Sequence, residues 1–172
     1  MLDSSQFFYT LKDDFLDHDA VMQMVDQAHV SQWKTAHAFE MLVIPVNTVS
    51  WQTKWVKEFF DNFVCDIHLL CIDPSTFYHW HTDIPRKVAV NVLLNGFDGH
   101  AFYSAAKRLH SKPTIELRET CEVPYASNKG ILMNLKQPHC VFTREQRRML
   151  LSLSLYDIHY NDVKQFCIEH NL

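Results

Sequence analysis

The sequence has little of what would divide a chain or anchor it. Glycine is scarce, at 3 of 172 residues, and no Pro/Gly/Ser-rich linker, internal repeat or low-complexity tract separates one part from another. A chain of 172 residues suits one core, so 1–172 reads as a single domain. No apolar run approaches the ~18–20 residues that a membrane span needs, which argues against a membrane partner. The first stretch, MLDSSQFFYTLKDDF, lacks a basic segment followed by an apolar one, so no secretory signal is expected. No CxxC occurs and the cysteines number five, an odd count. That argues against a zinc ribbon or a disulfide framework and for reduced thiols in the cytoplasm. Basic residues are not in surplus either. A formal charge of −4 and a pI near 6.2 weigh against a nucleic-acid partner.

What is present is a soluble, aromatic-rich composition, 47% hydrophobic and 21% charged, with 12 Phe, 6 Tyr and 4 Trp. Residues 1–64 read as a mixed, largely helical N-terminal layer. DDFLDHDAVMQMVDQAHVSQW places Phe15, Leu16, Val21, Met22, Met24 and Val25 at helical spacing, with Asp17 or Asp19 as the N-cap. FEMLVIPV is a short strand ended by Pro45. SWQTKWVKEFFDNFV sets Trp51, Trp55, Phe59, Phe60 and Phe63 along a helical stripe that suits core packing. Residues 65–156 change character. CDIHLLCID, TFYHWHTD, VAVNVLL, HAFYS, TIELRETCEV, GILMNL, HCVFT and RRMLLSLSLYDI are strand-like runs separated by turn signals such as NGFDG and KQP. Residues 157–172 end in one short helical segment. The fold this predicts is mainly β with flanking helices: a double-stranded β-helix, the cupin-like jelly roll.

One stretch calls for more than packing. In FYHWHTDIPRK, residues 77–87, His79, His81 and Asp83 fall on alternate positions, which in a strand share one face. Imidazole and carboxylate side chains on one face suit a divalent metal better than a core. A further histidine, His139 in KQPHCVF, opens a later strand. Two histidines and one carboxylate with open positions form the facial triad of non-haem Fe(II) sites. On the next strand, Arg148 in RMLLSLSL is the candidate to face the same site, and Leu150, Ser152 and Ser154 share its parity. A planar guanidinium there suits the far carboxylate of a 2-oxo acid, and Ser152 adds a hydroxyl.

The order HxD, distal His after QP, then Arg on the following strand resembles the 2-oxoglutarate and Fe(II)-dependent dioxygenases. The likeness spans about residues 65–156. Within that family, HTDIPRKVAVNVLLNG resembles small putative hydroxylases related to the aspartyl/asparaginyl β-hydroxylases. The resemblance implies an oxygenase with His81, Asp83 and His139 as iron ligands and Arg148 on the C5 carboxylate of 2-oxoglutarate. O₂ is the third reactant. Arg86 and Asn91 become candidates for the other end of the co-substrate or for support of the ligands, and Tyr78 or Tyr103 for a contact with it. The reaction implied is hydroxylation of an unactivated C–H bond, with a small-molecule, peptide or amino-acid substrate. Trp51, Trp55 and Phe77 are candidates for the entrance.

Other readings stay open at this point. Arg147 adjoins Arg148, and either can point inward. His79 either joins the metal shell or sits beside it. With four ligands the chain fits a zinc or manganese cupin serving as an isomerase or sensor, and without a metal it is a jelly-roll binding module. Regular alternation turns Tyr78 and Trp80 away from the ligands, with Trp80 in the core. Cys140 points opposite His139 as a buried thiol. His68, His100 and His110 read as surface or satisfied core residues.

Overall fold

A computed structural model of the chain describes residues 3–12, 15–28, 32–36, 39–45, 53–108, 115–127 and 129–172. Trp51 and His110 lie outside them. Eleven strands and three α-helices follow one another in these segments. The first four elements are β1 (Phe8–Thr10), α1 (His18–Gln27), β2 (Lys34–Ala36) and β3 (Phe39–Ile44). Next come α2 (Lys54–Asn62), β4 (Asp66–Ile72), β5 (Phe77–His81), β6 (Val88–Asn95) and β7 (His100–Arg108). The chain continues through β8 (Ile115–Glu122), β9 (Gly130–Asn134), β10 (His139–Phe142), β11 (Arg148–Leu155) and α3 (Tyr160–Glu169).

The strands form two antiparallel sheets, the pair of layers that a jelly roll requires. The larger runs β1-β9-β6-β11-β4-β3-β2 and the smaller β5-β10-β7-β8. The N-terminal layer is therefore not only a helical cover, because it supplies three of the seven strands of the larger sheet. β1 and β2 are three residues long, too short to leave a period in the sequence.

Alternation along the central strands sorts the two faces. Val88, Val90 and Val92 of β6 and Leu151, Leu153 and Leu155 of β11 pack with the helices in one buried cluster. The cap of α1 is Asp17, which accepts from the Ala20 N–H at 3.0 Å, and the buried face of α1 carries Val21. Thr53 caps α2, accepting from Val56 N–H, and its own hydroxyl donates to the Phe15 carbonyl at 2.6 Å. Phe59 meets Phe15 edge-on and tilts against Phe63, so part of the expected aromatic stripe is core. Val56 shares that face at 0% exposure, a position the aromatic pattern did not mark.

The other face of the larger sheet looks toward the smaller one. Ala89, Ile131 and Met133 meet Ala101 and Tyr103 there in a second cluster. The inward set of β11 is Arg148, Leu150, Ser152 and Ser154, which would waste this face on polar groups if packing were its only role. All five cysteines are free, and burial pushes the Cys65 and Cys167 thiols up to about 12.

Candidate functional site

β5 and β10 lie side by side at the edge of the smaller sheet, with His139 opposite His81. The next recorded pair is Val141 with Tyr78. β10 advances two residues where β5 advances three, so β5 carries a bulge over His79 and Trp80. The bulge resets the alternation and brings Tyr78 to the same side as His81, with ring centroids 4.3 Å apart. Regular parity gave the opposite orientation, and the extra residue is the reason. His79 goes the other way. It is exposed and meets the Phe77 ring edge-on at 4.7 Å, outside the ligand group. Trp80, expected in the core, is only half-buried and belongs to neither cluster.

His81 ends the strand, so Asp83 stands in the turn beyond it rather than on the strand. That turn is fixed to the connection between β9 and β10. Asp83 N–H donates to the Leu135 carbonyl at 3.0 Å, and Lys136 Nζ donates to the carbonyls of Asp83 at 2.9 Å and Ile84 at 2.7 Å. Nitrogen donors of His81 and His139 and a carboxylate oxygen of Asp83 come within 4.8 Å of one another. His81 Nε2 is 3.4 Å and His139 Nε2 3.9 Å from Asp83 Oδ1.

The hydrogen bonds around this trio decide its chemistry. His81 Nδ1 faces the His79 carbonyl at 2.6 Å, and His139 Nδ1 faces the Gln137 carbonyl at 3.0 Å. A carbonyl only accepts, so in the neutral rings each Nδ1 carries the proton and each Nε2 presents a lone pair. Burial pulls His139 down to about 4, so its ring is neutral at pH 7. Burial alone would raise Asp83, yet the His81 ring and the Arg86 guanidinium beside it hold its carboxyl down to about 2. With both rings neutral, two lone pairs and a carboxylate oxygen converge with no proton among them. That arrangement is repulsive alone and is relieved by a divalent cation, for which two imidazoles and one carboxylate are a fitting donor set.

Arg86 governs which carboxylate oxygen is offered. Its Nε and Nη2 both reach Asp83 Oδ2, at 2.8 and 2.6 Å, while Nη1 reaches Ser154 Oγ at 3.3 Å. Oδ1 is left to the histidines.

Behind the trio, between the sheets, lies a cavity of about 60 Å³. Tyr78, His81, Arg86, Asn91, His139 and Arg148 line it, with Tyr125, Met133 and several aliphatic side chains. Arg148 is 0% exposed, and its three guanidinium nitrogens have no hydrogen-bond partner among the described residues. Its guanidinium carbon lies 4.6 Å from the centre of the Tyr125 ring. Burial lowers its pKa, and Tyr125 and Asp98 pull it back up. An unpaired buried cation is costly, so the place asks for an anion. Gly99 lets the β6–β7 turn close over it, since a Cβ there would stand 3.2 Å from Arg148 Nη1. Arg147, one residue earlier, points out to Glu40 and Asp73.

The remaining candidates fall less centrally. Asn91 Nδ2 contacts Met133 Sδ at 2.9 Å and Tyr125 Oη at 3.4 Å, and its Oδ1 is buried and unpaired. Ser152 is buried on the expected face with an unpaired hydroxyl, but it does not line the cavity. Tyr103 packs on Phe7 with its ring 5.5 Å from that of His139, also outside the lining. Cys140 is buried, and His100 pairs with Glu122. Trp55 packs among the helices under Lys12 and Lys54, and Phe77 lies on the outer face of β5, so neither stands at the entrance. Tyr125 and Met133 were not singled out in the sequence. Tyr125 sits in an irregular connection where no periodicity exists to mark it.

His81 and Asp83, but not His139, also border an outer cleft of about 480 Å³, lined besides by Phe39, Met41, His68, Leu70, Tyr78, Thr82, Ile84, Pro85, Arg86 and Tyr156. Inner cavity and outer cleft meet at Phe39, Leu70, Tyr78, His81 and Arg86.

By sequence, no family model and no curated relative matches this chain. By structure, it is similar to a prolyl hydroxylase from Trichoplax adhaerens in complex with a hypoxia inducible factor oxygen degradation domain peptide fragment. That likeness has 16% identity, 90% of this chain and 85% of that chain covered, and a TM-score of 0.61. A prolyl-4-hydroxylase from Pseudomonas putida matches at 14% identity over 91% of this chain and 96% of that one, TM-score 0.59. HygX from Streptomyces hygroscopicus, with nickel, 2-oxoglutarate and hygromycin B bound, matches at 10% identity over 88% and 83%, TM-score 0.56. The fold is a jelly roll of the kind these hydroxylase structures share. At these identities the likeness is one of fold, and the chemistry has to be argued from the residues. Among the described residues no helix is long and apolar enough to cross a membrane.

Proposed function

We propose that this chain is a non-haem Fe(II) and 2-oxoglutarate-dependent oxygenase that hydroxylates an unactivated C–H bond. The observation that carries this reading is Arg148: a fully buried guanidinium with unpaired nitrogens, in the cavity that His81 and His139 also line. A metal alone would not require that cation. A co-substrate with a chelating 2-oxo acid at one end and a carboxylate at the other requires both.

In this reading His81 Nε2, His139 Nε2 and Asp83 Oδ1 hold the metal. Arg86 keeps Asp83 Oδ2 occupied, so a single oxygen points at the ion. Arg148 grips the far carboxylate, with the Tyr125 ring against its guanidinium and Asn91 as a further polar group lining the cavity. Tyr78 packs against the His81 ring and restricts its rotation. Iron, when bound with 2-oxoglutarate and O₂, supplies the oxidation of the C–H bond, and the co-substrate leaves as succinate and CO₂. The bond attacked belongs, in this proposal, to an amino-acid side chain. Two of the structural neighbours are prolyl hydroxylases, and one of them is bound to a peptide fragment. A closed site of four protein ligands is disfavoured, because His79 is turned away on the far side of the bulge.

The test is incubation with Fe(II), ascorbate and 2-oxoglutarate, followed by succinate quantification. Slow uncoupled succinate formation is expected, abolished in His81→Ala. A chain that takes up Fe(II) yet forms no succinate and binds no 2-oxoglutarate would refute the reading.

A further inference from the structure

The outer cleft differs from the inner cavity in a way that bears on the substrate. Its volume, about 480 Å³, is that of a small-molecule site and leaves room for a large side chain with its flanking atoms. The floor comes from two neighbouring strands of the larger sheet: Phe39 and Met41 of β3, His68 and Leu70 of β4. Met41 stands directly opposite Leu70. The rim is the turn after the ligand strand, where Ile84 is 88% exposed while Lys136 holds its carbonyl in place. An aliphatic side chain fixed in water beside the metal ligands has no packing role within this fold.

The charges around the cleft are all engaged. Both ionised lining residues, Asp83 and Arg86, are paired with each other, and the remaining Arg86 nitrogen goes to Ser154. Lys136 spends its ammonium on two carbonyls. His68 is pulled below its usual pKa by burial, so it is neutral at pH 7. Lys34, opposite Met41 on β2, is exposed and does not line the cleft. Asp83 Oδ1 is given over to the metal position, so in the metal-loaded chain no lining group among the described residues is free to pair with an incoming ammonium or carboxylate. A charged group taken from water without a partner loses several kcal/mol.

We infer that the cleft takes an uncharged, apolar group and rejects free amino acids, so that an amino-acid side chain enters only when its own α-amino and α-carboxyl groups are locked in amide bonds. This rests on the oxygenase reading for the word substrate, but the binding preference itself is independent of turnover.

The test uses N-acetyl N-methylamides of leucine, proline, phenylalanine and methionine beside the four free amino acids. Binding is titrated by saturation-transfer NMR on the Zn(II)-loaded chain, which does not turn over. The preference can therefore be scored even if succinate formation fails, and succinate formation can succeed while the preference fails. At least one blocked form is expected to bind tenfold or more tightly than its free parent. Met41→Asp, which places a charge on the floor, should weaken it at least tenfold. Ile84→Asn, at a surface position that folding does not depend on, should weaken it severalfold. The inference is overturned if no blocked form binds, if free amino acids bind as tightly as blocked ones, or if both variants bind like the parent chain.

Discussion

The inner cavity and the outer cleft share a wall and are built on opposite principles. The cavity buries a cation whose nitrogens have no hydrogen-bond partner among the described residues, and leaves Asn91 Oδ1 unpaired as well. The cleft is larger, is floored by Met41, Leu70 and Phe39, and leaves no lining charge unpaired among the described residues. The two thus share a wall of Phe39, Leu70, Tyr78, His81 and Arg86, and differ in what lies beyond it: unpaired Arg148 on one side, Met41 and exposed Ile84 on the other. In the proposed reading, the difference would let one jelly roll keep two small molecules apart at one metal, by charge pairing as much as by shape. Arg147 and Arg148 repeat the contrast on adjacent residues, one paired at the rim and the other alone inside.

The comparison can be broken or sharpened by substitution. The largest effect is expected at the candidate metal ligands. His139→Ala should lower Co(II) or Ni(II) affinity by about two orders of magnitude or more in a spectroscopic titration, because it removes a ligand outright. Next is the cost of the unpaired cation. Arg148→Met, in the absence of co-substrate, should raise stability by roughly 1–3 kcal/mol in urea unfolding. A loss of stability there would mean that Arg148 supports the fold and not a ligand. Arg86→Gln frees the second oxygen of Asp83 and should weaken metal binding about tenfold in the same titration. The smallest effect is at the rim. Arg147→Ala breaks half-exposed ion pairs and should change stability by at most ~1 kcal/mol, with 2-oxoglutarate affinity unaltered by calorimetry.

Much of this was legible in the sequence, and the failures have physical causes. The eight strand-like runs after residue 65 correspond to β4 through β11, because turn signals and short apolar runs mark antiparallel strands clearly. Arg148 faced inward as parity required, since β11 pairs with β4 without interruption along its whole length. Tyr78 did not follow parity, because β5 is bulged and a bulge inserts a residue without a sequence mark. Asp83 reached the histidines from a turn rather than a strand, held there by Lys136 and Leu135, residues more than fifty positions away. Such long-range bonds leave no local pattern. The pairing of Arg86 with Asp83 is local, three residues apart, yet the sequence left open whether Arg86 served the co-substrate or the ligand. Tyr125 was invisible for a simpler reason: it is a single aromatic in an irregular segment, and only the fold brings it under Arg148.

The most direct measurement is calorimetric titration of 2-oxoglutarate into the metal-loaded chain and into metal-loaded Arg148→Met. The account predicts one molecule bound per parent chain and an affinity at least about a hundredfold lower in the variant, from the loss of charge-assisted hydrogen bonds, with metal uptake the same in both. Equal affinity in the two proteins, or no binding by the parent chain, would contradict it.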